Sequence, residues 1–251
     1  GLTVSTPVKT LNKAKEVLKA QIAAAGDIPE DAKFVISVVG RVDVTADGTL
    51  GFADFGENAS RCVIRRDATN TSACMFSIKN GAKVTIDNLV VDGNTTYLRQ
   101  EVNSVFSIEG GAQVTVGSDL EVRNCLFTAG GSVFQMSSDK EQTLLTVNGG
   151  WYHDLKGYNG VFIMGNCSGM STHQRAKCVV NDCLVENITG TYGTILALKA
   201  TDVVICAGTF RNINMSNGVG QLACLVGSTT TRYKASLTIS PAAEGKKLSY
   251  E

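Results

Sequence analysis

The sequence lacks the residue combinations that would hold a metal or a cofactor. It has eight cysteines but no Cys-x-x-Cys pair, and its two histidines do not complete the spacing of a zinc site. We therefore expect no bound metal and no cofactor. Most cysteines are expected to be small buried thiols in a core, with disulfides as the alternative and Cys167, in the longest loop, as the main exception.

Net charge and long apolar runs are missing as well. The 23 basic and 23 acidic residues cancel, so neither a nucleic acid nor an anionic membrane would be attracted electrostatically. No apolar run approaches the roughly 18 residues of a membrane-spanning helix, and no signal peptide is present. The sequence predicts no nucleic-acid partner and no membrane span, allows an exported origin, and leaves the oligomeric state open.

What the chain does contain is a repeat. Ser104–Ile108, Ser132–Met136 and Gly160–Met164 share one apolar pattern at intervals of 28 residues. A second short apolar segment follows each copy, as Leu145–Val147 does, and a third comes after it. Repeats with a period of about 20–50 residues are typical of stacked units that bury their apolar faces only together.

The apolar residues of each copy alternate with polar ones, as Phe106 and Ile108 do around Ser107. A period of two indicates strands. Three strands per unit predict an all-β parallel β-helix of about seven or eight turns, with equivalent strands ~4.8 Å apart; a propeller would need tight hairpins that these units lack. In one unit, Leu120–Val122 is assigned to the second strand and Cys125–Phe127 to the third.

The two ends of the chain complete the predicted architecture. Residues 1–33 form an N-terminal segment in which an amphipathic helix pattern runs from Thr10 to Ala25 and ends at Gly26. Residues 34–251 form the β-helix, and the two parts make one continuous domain.

Two segments carry a family resemblance. Val122–Phe127 and Val180–Asn187 have similar Asn- and Cys-containing patterns, and with the N-terminal helix they resemble the right-handed β-helix of the pectate-lyase-like superfamily. The resemblance implies a single right-handed solenoid with a capping helix. It leaves the function open, because the same fold carries lyases, hydrolases, adhesins and inert spacers.

Enzymes of this superfamily carry charged groups on their strand faces. The aspartate pairs, Gly-His-Gly and Arg-x-Lys of its galacturonan hydrolases are absent, whereas its lyases use acidic calcium ligands and a basic residue. The nearest counterpart here is the position after the third strand, occupied in successive units by Asp92, Thr128, His153, Glu186 and Arg211.

If the protein is an enzyme, His153, Glu186 and Arg211 are its candidate catalytic residues. An acid, a base and a cation on three successive turns would suit proton abstraction beside a sugar carboxylate. The competing interpretation is a solvated charge ladder of complementary sign with no catalytic role.

A second candidate site is aromatic. Tyr158 and Tyr192 each precede the repeated apolar pair by three residues, so they should occupy the same corner of neighbouring turns. Tyr97 and Arg99 lie in the extended turn Thr95–Asn103 on the same side. Aromatic faces beside hydrogen-bonding groups suit sugars, so these four residues are the predicted ligand-binding residues. The alternative is that each tyrosine packs on its own loop.

These patterns predict a non-catalytic β-helix module, exported by a bacterium to its surface or to the extracellular space, that binds a glycan or a partner surface. The alternative is a polysaccharide lyase or glycoside hydrolase acting on an acidic polysaccharide. The missing hydrolase motifs favour the non-catalytic module, whereas the enzymatic activities found in the superfamily favour the enzyme. An enzyme would need His153, Glu186 and Arg211 to line a groove walled by Thr95–Asn103 and Gly165–Lys177.

Overall fold

The chain winds into a parallel β-solenoid preceded by one α-helix. The structure is a computed structural model and describes residues 6–95, 101–138, 141–167, 175–216, 222–226, 234–240 and 245–251. All strand pairings given by these residues are parallel. The expected all-β parallel β-helix with an N-terminal helix is confirmed.

The described strands are short, apart from one that bends through two sheets. In chain order they are β1 Phe34–Val38, β2 Val42–Val44, β3 Gly48–Leu50, β4 Cys62–Arg66, β5 Cys74–Ile78, β6 Lys83–Ile86, β7 Leu89–Asp92, β8 Val102–Ile108, β9 Gln113–Val116, β10 Leu120–Met136, β11 Leu144–Val147, β12 Trp151–Lys156, β13 Ile163–Cys167, β14 Ala176–Val180, β15 Leu184–Gly190, β16 Ile195–Lys199, β17 Thr201–Ile205, β18 Gly208–Met215, β19 Ala223–Val226, β20 Ser236–Ile239 and β21 Leu248–Tyr250.

Three sheets, here named A, B and C, are visited in that order in each turn. Sheet A contains β1, β4, β7, the first part of β10, β12, β15, β18 and β21. Sheet B contains β2, β5, β8, the second part of β10, β13, β16 and β19, and sheet C contains β3, β6, β9, β11, β14, β17 and β20. The solenoid has about six turns, slightly fewer than the seven or eight expected.

The N-terminal helix, α1 (Leu11–Ala24), lies against the first turn. Thr10 is its N-cap, and the side-chain oxygen of Thr10 accepts a hydrogen bond from the first turn of the helix. Lys15 reaches across to Asp54 with a nitrogen–oxygen distance of 2.8 Å, while Leu18 packs against the core. The helix therefore lies where the sequence predicted it. That residues 1–33 and 34–251 form one domain stays a prediction.

Stacked phenylalanines fill the interior. The ring centroids of Phe76 and Phe106 are 5.1 Å apart and those of Phe106 and Phe134 are 5.4 Å apart, with nearly parallel planes. The predicted strip of apolar residues on sheet B is buried throughout. It comprises Val105, Phe106, Ile108, Val133, Phe134, Met136, Phe162 and Met164.

The stack changes direction at Phe162. Its ring lies 5.9 Å from that of Phe134 at an angle of 70°, and the residue in register with Phe134 is Ile163. The repeat is therefore displaced by one residue in this turn. Tyr152, which is fully buried, contacts both rings, with its centroid 4.5 Å from that of Phe162 and 5.8 Å from that of Phe134. The tyrosine occupies interior space that neighbouring turns fill with valine.

One strand assignment made from the sequence is wrong. Leu120–Val122 pairs with β7 and β12 in sheet A, and the position predicted for it in sheet C is taken by β9. Both segments alternate apolar and polar residues and only a short turn separates them, so periodicity alone could not choose between them. As a result, Val122–Phe127 and Val180–Asn187, on which the family resemblance was noted, do not occupy equivalent positions.

A bend within the strands of sheet A carries a ladder of polar side chains. Asp154, Asn187 and Asn212 all have a left-handed backbone, with φ of 53°, 55° and 52°. The Asn187 amide nitrogen lies 3.3 Å from an Asp154 carboxylate oxygen, and the Asn212 amide nitrogen lies 3.1 Å from the Asn187 amide oxygen. Short polar side chains suit this column because they tolerate the left-handed conformation.

The seven cysteines whose side chains are described are all free. Five of them are buried, and burial raises the pKa of the Cys125 and Cys178 thiols to about 12. These two side chains are therefore protonated and serve as small apolar groups in the core. The side chain of Cys167, the expected exception, lies outside the described residues.

Candidate functional site

A charge ladder runs along the outer face of sheet A. Register places one of its members on each of six successive turns, and they are Arg65, Asp92, Arg123, His153, Glu186 and Arg211. Side chains on a strand alternate between faces, so the residues preceding them, among them Tyr152 and Phe210, point inward and are fully buried.

The three candidate catalytic residues therefore lie where the sequence predicted, on consecutive turns in register. One turn earlier, the residue predicted for this column was wrong, because Arg123 occupies the position predicted for Thr128. That error follows from the misplaced Leu120–Val122 strand.

His153 is enclosed by two carboxylates and an indole. Its Nδ1 lies 2.7 Å from an Asp154 carboxylate oxygen, and its Nε2 lies 3.3 Å from Glu121 Oε1. Its ring stacks on that of Trp151 with a centroid distance of 3.9 Å. Burial lowers the pKa of His153, but hydrogen bonds and charge interactions with Glu121 and Asp154 outweigh it and leave the pKa raised. The surroundings therefore favour the imidazolium cation.

Glu186 is held by a donor on each carboxylate oxygen. Arg211 Nε lies 2.5 Å from Oε2, and Trp151 Nε1 lies 2.6 Å from Oε1. The hydrogen bond from Arg211 is the main reason that the pKa of Glu186 is lowered, with burial opposing it. A carboxylate in this state is ionised and bonded to its neighbours, so it is poorly suited to donate or accept a proton in a reaction.

The rest of the ladder is paired in the same way. Asp92 lies 3.5 Å from the Arg65 guanidinium and 3.6 Å from that of Arg123. Arg123 also contacts Glu121, with a nitrogen–oxygen distance of 2.6 Å. The ladder thus forms a row of mutually compensating charges across the turns, although Asp92, His153 and Glu186 are buried rather than solvated.

The two tyrosines of the aromatic candidate meet at the corner between sheets A and B, here named the tyrosine corner. The ring centroids of Tyr158 and Tyr192 lie 5.6 Å apart at an angle of 69°, and the Tyr192 amide donates to the Tyr158 carbonyl at 2.9 Å. Tyr158 is 45% exposed, and Tyr192 is half-buried. Tyr97 and Arg99 lie outside the described residues, so their place beside this pair stays a prediction.

The groove walls required for an enzyme fall mostly outside the described residues. Of the two loops, residues 96–100 and 168–174 are not described. Within the described ranges, no three His, Cys, Asp or Glu side chains converge as they would around a metal ion. No helix in the same part of the chain has both the length and the apolar character needed to cross a membrane.

Sequence reasoning missed Trp151 as a functional residue and treated it only as a strand residue. It is the one tryptophan of the chain, lies on the outer face of sheet A and is 41% exposed. The repeat could have revealed Trp151, because Trp151 precedes His153 by two residues and therefore lies on the same face of the strand. Glu121, which joins Arg123 to His153, was missed because its strand was assigned to the wrong sheet.

Neither models of known protein families, nor curated proteins, nor solved structures gave a match to this chain.

Proposed function

We propose that this protein is a non-catalytic β-helix module that binds a glycan at the tyrosine corner. We further propose that a bacterium exports it to its surface or to the extracellular space. The observation that carries the binding proposal is the contact between the exposed ring of Tyr158 and the half-buried ring of Tyr192 on consecutive turns. A ring packs well against the C–H face of a sugar, while its hydroxyl can bond to sugar hydroxyls.

The spacing of the pair suits a chain of sugars. Tyr192 lies in register with Asn159, the residue after Tyr158, and the two tyrosine rings are 5.6 Å apart. One glycan chain running along the solenoid axis could therefore contact both rings. The Tyr192 amide bonds to the Tyr158 carbonyl, which fixes the two backbone segments relative to each other. A surface that is already ordered loses less conformational entropy when it binds.

The state of the charge ladder supports the absence of catalysis. A general acid needs a pKa near the working pH, whereas the pKa of Glu186 is lowered by Arg211. Both ring nitrogens of His153 are already engaged, Nδ1 by Asp154 and Nε2 by Glu121, which leaves neither nitrogen free to exchange a proton with a substrate. The ladder is therefore better suited to joining the turns of sheet A than to proton transfer.

We also propose that the chain belongs to the pectate-lyase-like superfamily of right-handed β-helices. Three parallel sheets visited in a fixed order, the N-terminal helix on the first turn and the polar ladder of Asp154, Asn187 and Asn212 all support this placement.

Removal of both rings tests the binding proposal. On a glycan array, the double variant Tyr158→Ala/Tyr192→Ala should lose the binding shown by the wild-type protein, with little change in melting temperature because Tyr158 is largely exposed. Tyr250→Ala is the matched control, since Tyr250 is 44% exposed and belongs to β21. Equal binding by the double variant and the control would contradict the proposal.

A polysaccharide lyase or glycoside hydrolase is the second candidate. It is favoured by one observation, the register of His153, Glu186 and Arg211 on three successive turns. An enzyme of this kind would act on an acidic polysaccharide, with Arg211 beside the sugar carboxylate. Its activity would be lost in both Glu186→Gln and His153→Gln.

A further inference from the structure

A groove lies on sheet A beside the charge ladder and is separate from the tyrosine corner. Its volume is about 440 Å³, within the range of sites that hold small molecules. One wall is the 3₁₀ segment Ala53–Arg61, which packs against β4 and β7, and Trp151 lies at the opposite side. The outward-facing Val90 lines the groove between them, so the site has an apolar part and an aromatic part.

The indole of Trp151 is held in place from behind. His153 covers one face of its ring at a centroid distance of 3.9 Å, and its Nε1 donates to Glu186. Glu186 is in turn held by Arg211. The indole nevertheless stays 41% exposed. A rigid, half-exposed ring whose orientation is fixed by three charged neighbours is preorganised for stacking with a ligand.

The charge of the groove has one sign. Glu57, Asp119 and Glu121 line it, and its lining contains no basic side chain among the described residues. Glu121 is partly compensated, because Arg123 and His153 both contact its Oε1 atom. In the described part of the chain, Glu57 and Asp119 form no ion pair with a basic side chain. The groove therefore offers uncompensated negative charge beside an aromatic ring.

Neutral hydrogen-bonding side chains complete the lining. Ser60, Asn88 and Ser118 add hydroxyl and amide groups, which can donate to and accept from the hydroxyls of a ligand. The required ligand thus has a flat apolar face for the indole, a positive charge for the carboxylates and several hydroxyls. A lysine side chain meets only the charge requirement, and an uncharged sugar lacks the charge.

We propose that the groove binds an amino sugar with a free, protonated amine. The C–H face of the sugar ring lies on Trp151, the ammonium group faces Glu57, Asp119 and Glu121, and the hydroxyls bond to the serine and asparagine side chains. This site adds a second ligand class to the module and does not depend on the tyrosine corner.

Fluorescence gives a direct test, because Trp151 is the only tryptophan in the chain and the ligand is expected to contact it. The full chain is titrated with a glucosamine tetramer and, in parallel, with an N-acetylglucosamine tetramer, which keeps the ring and removes the charge. We expect a saturable change in tryptophan emission with the glucosamine tetramer. The acetylated tetramer should bind at least roughly tenfold more weakly, the scale of one charged hydrogen bond.

Matched charge variants separate a site from general attraction. Glu57→Gln/Asp119→Asn should weaken binding of the glucosamine tetramer by roughly tenfold or more. The control Glu109→Gln/Glu141→Gln changes net charge equally, but its residues lie on turns between sheets B and C, and it should bind like the wild type. Equal weakening by both double variants would overturn the proposal in favour of unspecific attraction.

Three further outcomes would also overturn it. Equal affinity for the two tetramers, or no change in emission, would exclude the amino-sugar site. Binding of a lysine tetramer as tight as that of the glucosamine tetramer would assign the groove to basic peptides instead. Calorimetry with Trp151→Ala, which should not bind, checks the role of the ring. The variant Tyr158→Ala/Tyr192→Ala removes only the tyrosine corner, so it should still bind the glucosamine tetramer in the groove.

Discussion

Adjacent residues of one strand have opposite roles in this molecule, as three consecutive aromatic positions show. Tyr152 is fully buried among the core phenylalanines, whereas Trp151 and His153 stack on each other outside. Alternation of side chains along a strand produces this division. It also means that a shift of one residue in the register would exchange core and surface.

The phenylalanine stack should dominate the stability of the middle turns. Phe134→Ala removes a fully buried ring that contacts its neighbours on both sides, and we expect it to lower the free energy of unfolding by about 3–5 kcal/mol. Phe55→Ala is the control. Because Phe55 is only partly buried, this variant should lose less of the free energy of unfolding. Urea denaturation measures both, and an equal loss in the two variants would contradict the stacked core.

Two buried hydroxyls should have opposite effects when they are removed. Ser132 Oγ is buried and has no hydrogen-bond partner among the described residues, whereas the buried Thr143 hydroxyl donates to the Ser137 carbonyl at 2.7 Å. Ser132→Ala should therefore leave stability unchanged or raise it, while Thr143→Val should lower it by about 1–2 kcal/mol. Thermal melting curves measure both effects. A clear loss of stability in Ser132→Ala would show that the Ser132 hydroxyl is hydrogen-bonded in solution.

His153 should make stability depend on pH. Its folded pKa is raised, so its contribution is present in full below the unfolded pKa of about 6.5 and is lost as pH rises through the folded value. The stability of the wild type relative to His153→Gln should therefore be larger near pH ~5.5 than near pH ~8. Urea denaturation of both proteins at the two pH values tests this. A difference that grows with pH would contradict the assigned contacts with Glu121 and Asp154.

At the scale of whole elements, a bend within sheet A depends on a left-handed residue in four successive turns, namely Asn124, Asp154, Asn187 and Asn212. Asn187 combines this conformation with hydrogen bonds to the turns before and after it. Asn187→Gly keeps the backbone freedom and loses the ladder, whereas Asn187→Ala loses both. We expect the alanine variant to be less stable than the glycine variant by ~1–2 kcal/mol. Equal stability of the alanine and glycine variants on thermal unfolding would show that the bend at Asn187 imposes no backbone strain.

The elements were predictable where the sequence left a single choice. The amphipathic pattern between Thr10 and Ala25 and the apolar strip around Phe106 and Phe134 each fit one kind of element. Leu120–Val122 was misplaced because it and β9 alternate equally well, and only pairing with the next turn decides between them. In a solenoid, strand identity is therefore a property of neighbouring turns as much as of local sequence.

The candidate site was predictable in part for the same reason. The column of His153, Glu186 and Arg211 follows from the repeat, and the structure contains it. The partners that determine its chemistry could not be derived in that way. Trp151 and Glu121 reach these residues through side-chain geometry, which a periodic pattern does not encode.

At the scale of the whole molecule, the solenoid converts sequence columns into surfaces that extend over several turns. The charge ladder, the groove beside Trp151 and the tyrosine corner are three such surfaces. The charges of the ladder are paired with one another, whereas the groove and the corner each leave an aromatic ring exposed. This difference is the physical basis for proposing that the groove and the tyrosine corner bind ligands and that the charge ladder supports the structure.

Binding without cleavage is the central claim, and one measurement tests it most directly. The wild-type protein is incubated with a polysaccharide that it binds on the array, and product size, reducing ends and unsaturated sugars are followed over time. We expect retention of the intact polysaccharide, with binding lost in Tyr158→Ala/Tyr192→Ala and kept in Glu186→Gln. Shortening of the polysaccharide by the wild type that disappears in Glu186→Gln would contradict the claim and establish the ladder as an active site.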